Sequence, residues 1–197
     1  MNKKGLLVVV SAPAGCGKDT ILECAFEACN NLHYSVSVTT RKARPSEEEG
    51  IHYFFKTREE FEQMIQKKEL LEYTEYDGNF YGTPRKYIPE MLEAGKNVVL
   101  KIEVEGAENI KRIYPDCVRV FILPPSFEEL ERRLRKRGTE TEETIKNRVG
   151  IAKIEMSFVK NYDYVIINAD IEEAVKDFTA IVQAERLSAK RGIPVIS

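Results

Sequence analysis

Apolar residues follow two rhythms along this chain. Leu6 to Val10 is an unbroken apolar run, the pattern of a short strand buried on both faces. After a loop with two glycines, Ile21, Leu22, Ala25, Phe26 and Cys29 recur at helical spacing, so strand, loop and helix follow in order. The rhythm then changes. Tyr34–Thr40 alternates, Ile51–Phe55 and Leu71–Tyr76 read as strands, and Asp77-Gly78-Asn79 reads as a turn. Thr57-Arg58-Glu59-Glu60 is a capping box that opens a helix through Lys68.

Regular alternation resumes after this mixed segment. Thr83-Pro84 is expected to start a helix that Gly95 ends, Val98–Val104 and Val118–Leu123 are expected strands, and Glu105–Tyr114 is a helix stopped before Pro115. Ser126 caps a further helix that runs into the charged stretch Arg132 to Glu143. Tyr164–Asn168 is the last strand and Asp170–Arg186 the last amphipathic helix. Such βα alternation predicts an α/β fold: a largely parallel sheet flanked by helices, with a mixed lobe inserted between its units.

Charge and cysteine content narrow the function classes. Thirty basic against 32 acidic residues leave a net charge of −2, which argues against a protein that coats nucleic acid. No apolar run approaches the ~20 residues of a membrane span, and the start is too short in apolar residues for a secretory signal. Cys16, Cys24, Cys29 and Cys117 have no CxxC spacing, and His33 and His52 lie apart, a pattern of reduced cytosolic thiols rather than a zinc site. A cytoplasmic protein is expected.

The candidate chemistry begins at Ala12-Pro13-Ala14-Gly15-Cys16-Gly17-Lys18-Asp19-Thr20, between the first strand and the first helix. Polyphosphates need several backbone N–H groups converging on them, which glycines allow. The helix N-terminus adds its dipole, and the lysine adds a mobile cation. The segment departs from the usual phosphate loop in two places, with Ala12 at the first glycine and Asp19 at the hydroxyl position. It predicts a P-loop NTPase-type core that binds ATP through residues 12–20.

Further runs give this loop a context. Ser35-Val36-Ser37-Val38-Thr39-Thr40-Arg41-Lys42-Ala43-Arg44-Pro45 is followed by Gly50-Ile51-His52-Tyr53-Phe54-Phe55, by Glu72, and by Gly78-Asn79-Phe80-Tyr81-Gly82-Thr83. Arg137-Gly138-Thr139-Glu140-Thr141-Glu142-Glu143, Arg148 and Ile167-Asn168 come later. Together they resemble the guanylate kinases, in that family's order, over about residues 4 to 186. The resemblance implies transfer of the γ-phosphoryl group of ATP to GMP and dGMP, with Mg²⁺. It also implies one domain over 4–186: a core at 4–34, 84–125 and 155–186, a GMP-binding lobe at 35–83, a short helical lid at about 126–154, and a loose tail at 187–197.

The resemblance further implies roles for single residues. Arg41, Arg44, Tyr53 and Tyr81 would take the acceptor phosphate, with arginine offering a bidentate fork. Glu72 would accept from the N1–H and N2–H₂ edge of guanine, helped by Ser37 and Thr83, with Glu103 also at the acceptor. Lys18, Arg41, Arg137 and Arg148 would stabilise the transferring group, while Arg133 and Asn168 belong to the donor side. An acceptor phosphate is already an anion, so no strong general base is needed. ATP and GMP are the expected partners, without nucleic acid, membrane or an obligatory protein partner.

One stretch breaks the family pattern. Where the family carries Glu/Asp-Ile-Asp-x-Gln-Gly, this chain has Lys101-Ile102-Glu103-Val104-Glu105-Gly106, and alternation would put Lys101, Glu103 and Glu105 on one face. Either Lys101 pairs with Asp19 across the phosphate loop, or Asp19 lies beside Mg²⁺ with Thr20 close by. Two other functions stay open: a non-catalytic guanylate-kinase-like binding module with weakened catalysis, and a related kinase of another monophosphate or a phosphosugar.

Overall fold

A computed structural model describes residues 4–45, 47–76, 78–136 and 141–191. Arg137, Gly138, Thr139 and Glu140 of the expected lid, Asp77 of the expected turn and residues 192–197 of the expected tail lie outside the described residues.

The described residues form two sheets. The larger is wholly parallel, in the order β2 (Leu32–Tyr34), β7 (Asn97–Lys101), β1 (Leu7–Ser11), β8 (Val118–Leu123), β9 (Tyr164–Ile167). Its centre explains the unbroken apolar run. Val8 and Val10 face one core with Ile21 and Ala25 of α1 (Lys18–Ala28), Leu130 and Leu134 of α5 (Phe127–Lys136), and Phe178 of α7 (Ile171–Leu187). Leu7 and Val9 face a second core with Ile88 and Leu92 of α3 (Ile88–Glu93) and Ala107 and Ile110 of α4 (Val104–Ile113). Helices thus cover both faces, as an α/β sheet buried on each side requires.

The second sheet is mixed, in the order β4 (Tyr53–Phe55), β3 (Ser37–Thr39), β6 (Asn79–Pro84), β5 (Leu70–Tyr76). With α2 (Arg58–Gln66) it has a core of its own, in which Phe61 is fully buried among Val38, Leu70, Phe54 and Phe80. The Phe61 and Phe80 rings stack at 5.3 Å. The capping box at Thr57 is complete: Glu60 N–H donates to Thr57 Oγ1 at 3.1 Å and Thr57 N–H to Glu60 Oε2 at 2.7 Å.

Three local expectations are corrected. Tyr34–Thr40 is not one alternating strand: β2 joins the edge of the parallel sheet, and the chain crosses at Ser35–Val36 to open the mixed sheet with β3. Thr83-Pro84 does not start a helix. Both belong to β6, where Pro84 stands at the strand's last position, and the following helix carries Pro89 in its first turn instead. The strand expected at Val98–Val104 is β7 and ends at Lys101. Glu103 is the extended N-cap of α4 and Glu105 lies in its first turn, so Lys101, Glu103 and Glu105 share no strand face. In the stretch after Leu187, Arg191 bonds both Glu185 and the carbonyl of Asp116.

Because Phe61 is the largest side chain fully buried in the smaller core, Phe61→Ala is expected to cost about 3–5 kcal/mol. Urea denaturation checks this; a loss under about 1 kcal/mol would show that the mixed sheet is held by other contacts.

Candidate active site

β1 ends at Ser11 and the chain turns sharply into α1 through two glycines with left-handed backbone, Gly15 at φ 91° and Gly17 at φ 82°. Gly17 is also the N-cap of α1. A Cβ there would lie 2.4 Å from the side-chain amide nitrogen of Asn168, so only glycine lets that amide approach. Asn168 follows β9 and is buried; its Nδ2 donates to the carbonyl of Cys16 at 2.8 Å. Arg133 of α5 donates through Nη2 to the carbonyl of Asn168 at 2.9 Å and through Nε to Glu129 at 2.7 Å. Loop, last strand and α5 are thereby tied together from behind.

In front of the loop lies a cavity of about 190 Å³. Ala12 through Asp19 line one side, Ser37, Arg41, Arg44, Tyr53, Glu72 and Tyr81 the other, with Lys101, Ile102 and Glu103 at the floor and Arg148 from α6 (Glu142–Met156). Most of the site residues expected from sequence therefore meet in one cleft. Thr20, exposed on α1, does not line it, nor do Thr83, Arg133 and Asn168, which stand behind lining residues. Arg137 lies outside the described residues.

Lys18, Lys101 and Arg41 of the cleft each meet a carboxylate. Lys18 Nζ stands 3.7 Å from Glu103 Oε1. Lys101 Nζ donates to Asp19 Oδ1 at 2.7 Å, the pair anticipated from the sequence. Arg41 makes a two-pronged contact with Glu47, at 3.0 and 2.8 Å, and Glu47 also accepts from the backbone N–H of Arg44 at 2.8 Å. Burial opposes the charge on Lys101, but the neighbouring Tyr34 and Asp19 outweigh it and hold its pKa above the usual lysine value. Burial also pushes the Tyr34 hydroxyl up to about 12.

Glu72 on β5 is only 7% exposed. Its Oε1 accepts from the buried hydroxyl of Thr83 on the neighbouring strand, and Oε2 lies where a Cβ on Gly106 would come within 2.7 Å. Burial raises its pKa to about 7, the Thr83 hydrogen bond working against this and the charge of Glu105 adding to it. The arrangement suits a polar ligand edge that brings its own N–H donors to a carboxylate deprived of water.

Two participants were not singled out from the sequence. Glu47 could have been found as the first of three acids six residues after Arg41. Glu155 is an acid on the buried stripe of α6, three residues after the buried Ala152. Burial and the charge of Glu103 push its pKa up to about 8 against the opposing effect of Lys18, and its Oε2 has no hydrogen-bond partner.

Comparison with known proteins agrees with this geometry. The family model for guanylate kinase matches residues 4–185. The guanylate kinase of Halalkalibacterium halodurans is 49% identical over 190 residues, 96% of this chain and 93% of that protein. The guanylate kinase of Bacillus subtilis is 46% identical over 195 residues, 98% and 96% of the two chains. The crystal structure of guanylate kinase from Anaplasma phagocytophilum superposes with a TM-score of 0.83 at 37% identity, covering 96% of this chain and 90% of that one. Phosphate loop, cation-rich cleft, buried Glu72 and these full-length matches lead to one conclusion: the chain belongs to the guanylate kinase family.

Proposed function

We propose that the cleft transfers the γ-phosphoryl group of ATP to GMP or dGMP, in the cytoplasm, with residues 35–83 acting as the acceptor lobe and 126–154 as the lid. The observation that carries this reading is the juxtaposition, in one cavity, of the loop lysine Lys18 with Arg41, Arg44, Tyr53 and Tyr81 and with the buried carboxyl of Glu72. ATP would lie along residues 12–19, its phosphates taking N–H groups of the loop and the ammonium of Lys18. Asn168 and Arg133 would serve the donor from behind, by holding the loop backbone.

The acceptor would enter with its phosphate among Arg41, Arg44, Tyr53 and Tyr81 and its base against Glu72, Ser37 and Thr83, with Glu103 at the cleft floor. An oxygen of the acceptor phosphate bonds to the γ-phosphorus as the bond from that phosphorus to the β–γ bridging oxygen breaks, leaving ADP and GDP. No proton has to be removed from the attacking oxygen, so positioning and charge stabilisation do the chemistry. Arg148, Arg41, Lys18 and Arg137 are the cations proposed for the transferring group.

Mg²⁺ fits as an ion delivered by the nucleotide. Among the described residues no group of three metal-binding side chains exists, and Mg²⁺ bound with nucleotide phosphates needs only one or two protein ligands. Asp19, which lines the cleft, is the residue proposed to hold it, whereas Thr20 lies off the cleft; the ion would neutralise negative charge on the phosphates.

Three outcomes test this reading. A coupled assay of ATP consumption should give turnover with GMP well above that with AMP; equal rates would remove the guanine assignment. Arg148→Ala should lower kcat by about a thousandfold, the scale of a phosphoryl-clamping arginine, with a small change in KM for GMP. An unchanged kcat would take Arg148 out of the clamp.

The third concerns pH. Glu72 must be ionised to accept from guanine, so binding below its pKa of about 7 requires loss of a proton. Guanosine, which has no phosphate to titrate, should therefore bind about tenfold more weakly for each unit of pH below 7. Glu72→Gln should bind it weakly at every pH; a retained slope in that variant would place the titration elsewhere. The same raised pKa stabilises the fold fully below the unfolded value of 4.5, a contribution lost as pH rises through about 7.

A further inference from the structure

Lys101 is the departure of this chain that the family's chemistry does not absorb, since the family carries an acid in its place. It ends β7 directly beside the end of β1, in register with Val10, so its side chain reaches the space between the phosphate loop and the mixed sheet. The side chain is 17% exposed. Its Nζ lies 2.7 Å from Asp19 Oδ1, 5.3 Å from the centre of the Tyr34 ring and 5.5 Å from that of Tyr53. The guanidinium of Arg41 lies 5.4 Å from the centre of the same Tyr53 ring. Lys101 and Arg41 therefore share one tyrosine, and both line the cavity with Arg44 and Tyr81.

A half-enclosed ammonium of this kind would be a purely structural partner if its carboxylate were buried with it. Asp19 is not; its side chain is 58% exposed. A carboxylate so open to water holds its partner weakly and is readily exchanged for a stronger anion. A monophosphate dianion among Arg41, Tyr53 and Tyr81 would be such an anion, with more charge and more acceptor oxygens than Asp19 offers.

We propose that Lys101 is a ligand of the acceptor's phosphate, held in place by Asp19 until the monophosphate displaces that carboxylate from its ammonium. The inference rests on the reading that GMP binds with its phosphate beside Tyr53. It adds one cation to the acceptor site and makes Asp19 a competitor of the substrate before it serves the donor side.

Calorimetric titration of the full chain with GMP and with guanosine, without ATP and with EDTA present, isolates this step from catalysis and from metal. Lys101→Met should weaken GMP about tenfold to a hundredfold, the range of a charged hydrogen bond, while guanosine changes less than about twofold. Lys101→Arg should recover most of the GMP affinity. Asp19→Asn should tighten GMP severalfold, and that gain should vanish when combined with Lys101→Met. Equal weakening of GMP and guanosine, no weakening of GMP, or a gain from Asp19→Asn that persists without Lys101 would each overturn the proposal. Wild-type chain that binds AMP as well as GMP, or GMP no better than guanosine, would instead sink the acceptor assignment itself, before any variant is compared.

Discussion

A cleft that receives two polyanions must keep several cations close together while no anion is there to separate them. The chain meets this constraint by setting a carboxylate beside each of three cations: Lys18 has Glu103, Lys101 has Asp19 and Arg41 has Glu47. These pairs are also ties between elements. Glu103 brings the N-cap of α4 to the start of α1, Asp19 brings α1 to the end of β7, and Glu47 closes the connection between β3 and β4 onto Arg41. Incoming phosphates, with more charge and more acceptor oxygens, would compete with these carboxylates for the same cations.

The topology decides where this balance can be built. In the strand order β2-β7-β1-β8-β9 the connection from β1 runs back toward β2 through α1, while that from its neighbour β7 runs forward to β8 through α4 on the other face, and a crevice opens beyond the strand ends at such a point. β1 delivers the phosphate loop there, β7 delivers Lys101 and the N-cap Glu103, and β9 delivers Asn168. The mixed sheet supplies the opposite wall, where the β5–β6 pairing sets Thr83 across from Glu72. Sheet order thus converts residues distant in sequence into one site, and small residues finish it: Gly17 admits the Asn168 amide, and Gly106 leaves room for the second oxygen of Glu72.

What could be read from the sequence follows from this division. The apolar run at β1, the glycines of the loop and the capping box at Thr57 are local signals, and each appears where local chemistry puts it. The phosphate loop and the acceptor-side arginines were legible as motifs. The errors sit where the chain changes sheets or periods. Tyr34–Thr40 alternates without interruption, so nothing local marks the crossing from the parallel to the mixed sheet at Ser35. Thr83-Pro84 carries the chemistry of a helix start, but pairing with β5 overrides it. Glu103 looked like a strand residue because the β-to-α change at Ile102 has no glycine or proline to announce it. Glu47 and Glu155 were missed because their partners come from the fold, not from neighbouring positions.

Two buried acids, Glu72 lining the cleft and Glu155 on α6, show how the same residue type is set to different tasks. Glu72 and Glu155 both lie beneath the surface, and burial is the larger cause of the raised pKa in each. Glu72 has its titration near neutrality, a hydroxyl partner on one oxygen and an open cavity beside it, so a ligand with N–H donors can complete it as an anion. Glu155 faces Glu103 and Lys18 from α6, and two anions beside one lysine would leave an uncompensated charge in a dry place. The raised pKa of Glu155 favours its neutral form and so lessens the negative charge beside the Glu103–Lys18 contact. The lysine then has one weak anchor at 3.7 Å, close enough to position it and loose enough for a phosphate to take it. Since α6 also carries Arg148 into the cleft, favouring the neutral form of Glu155 lets that helix approach with its arginine while adding little negative charge near Lys18.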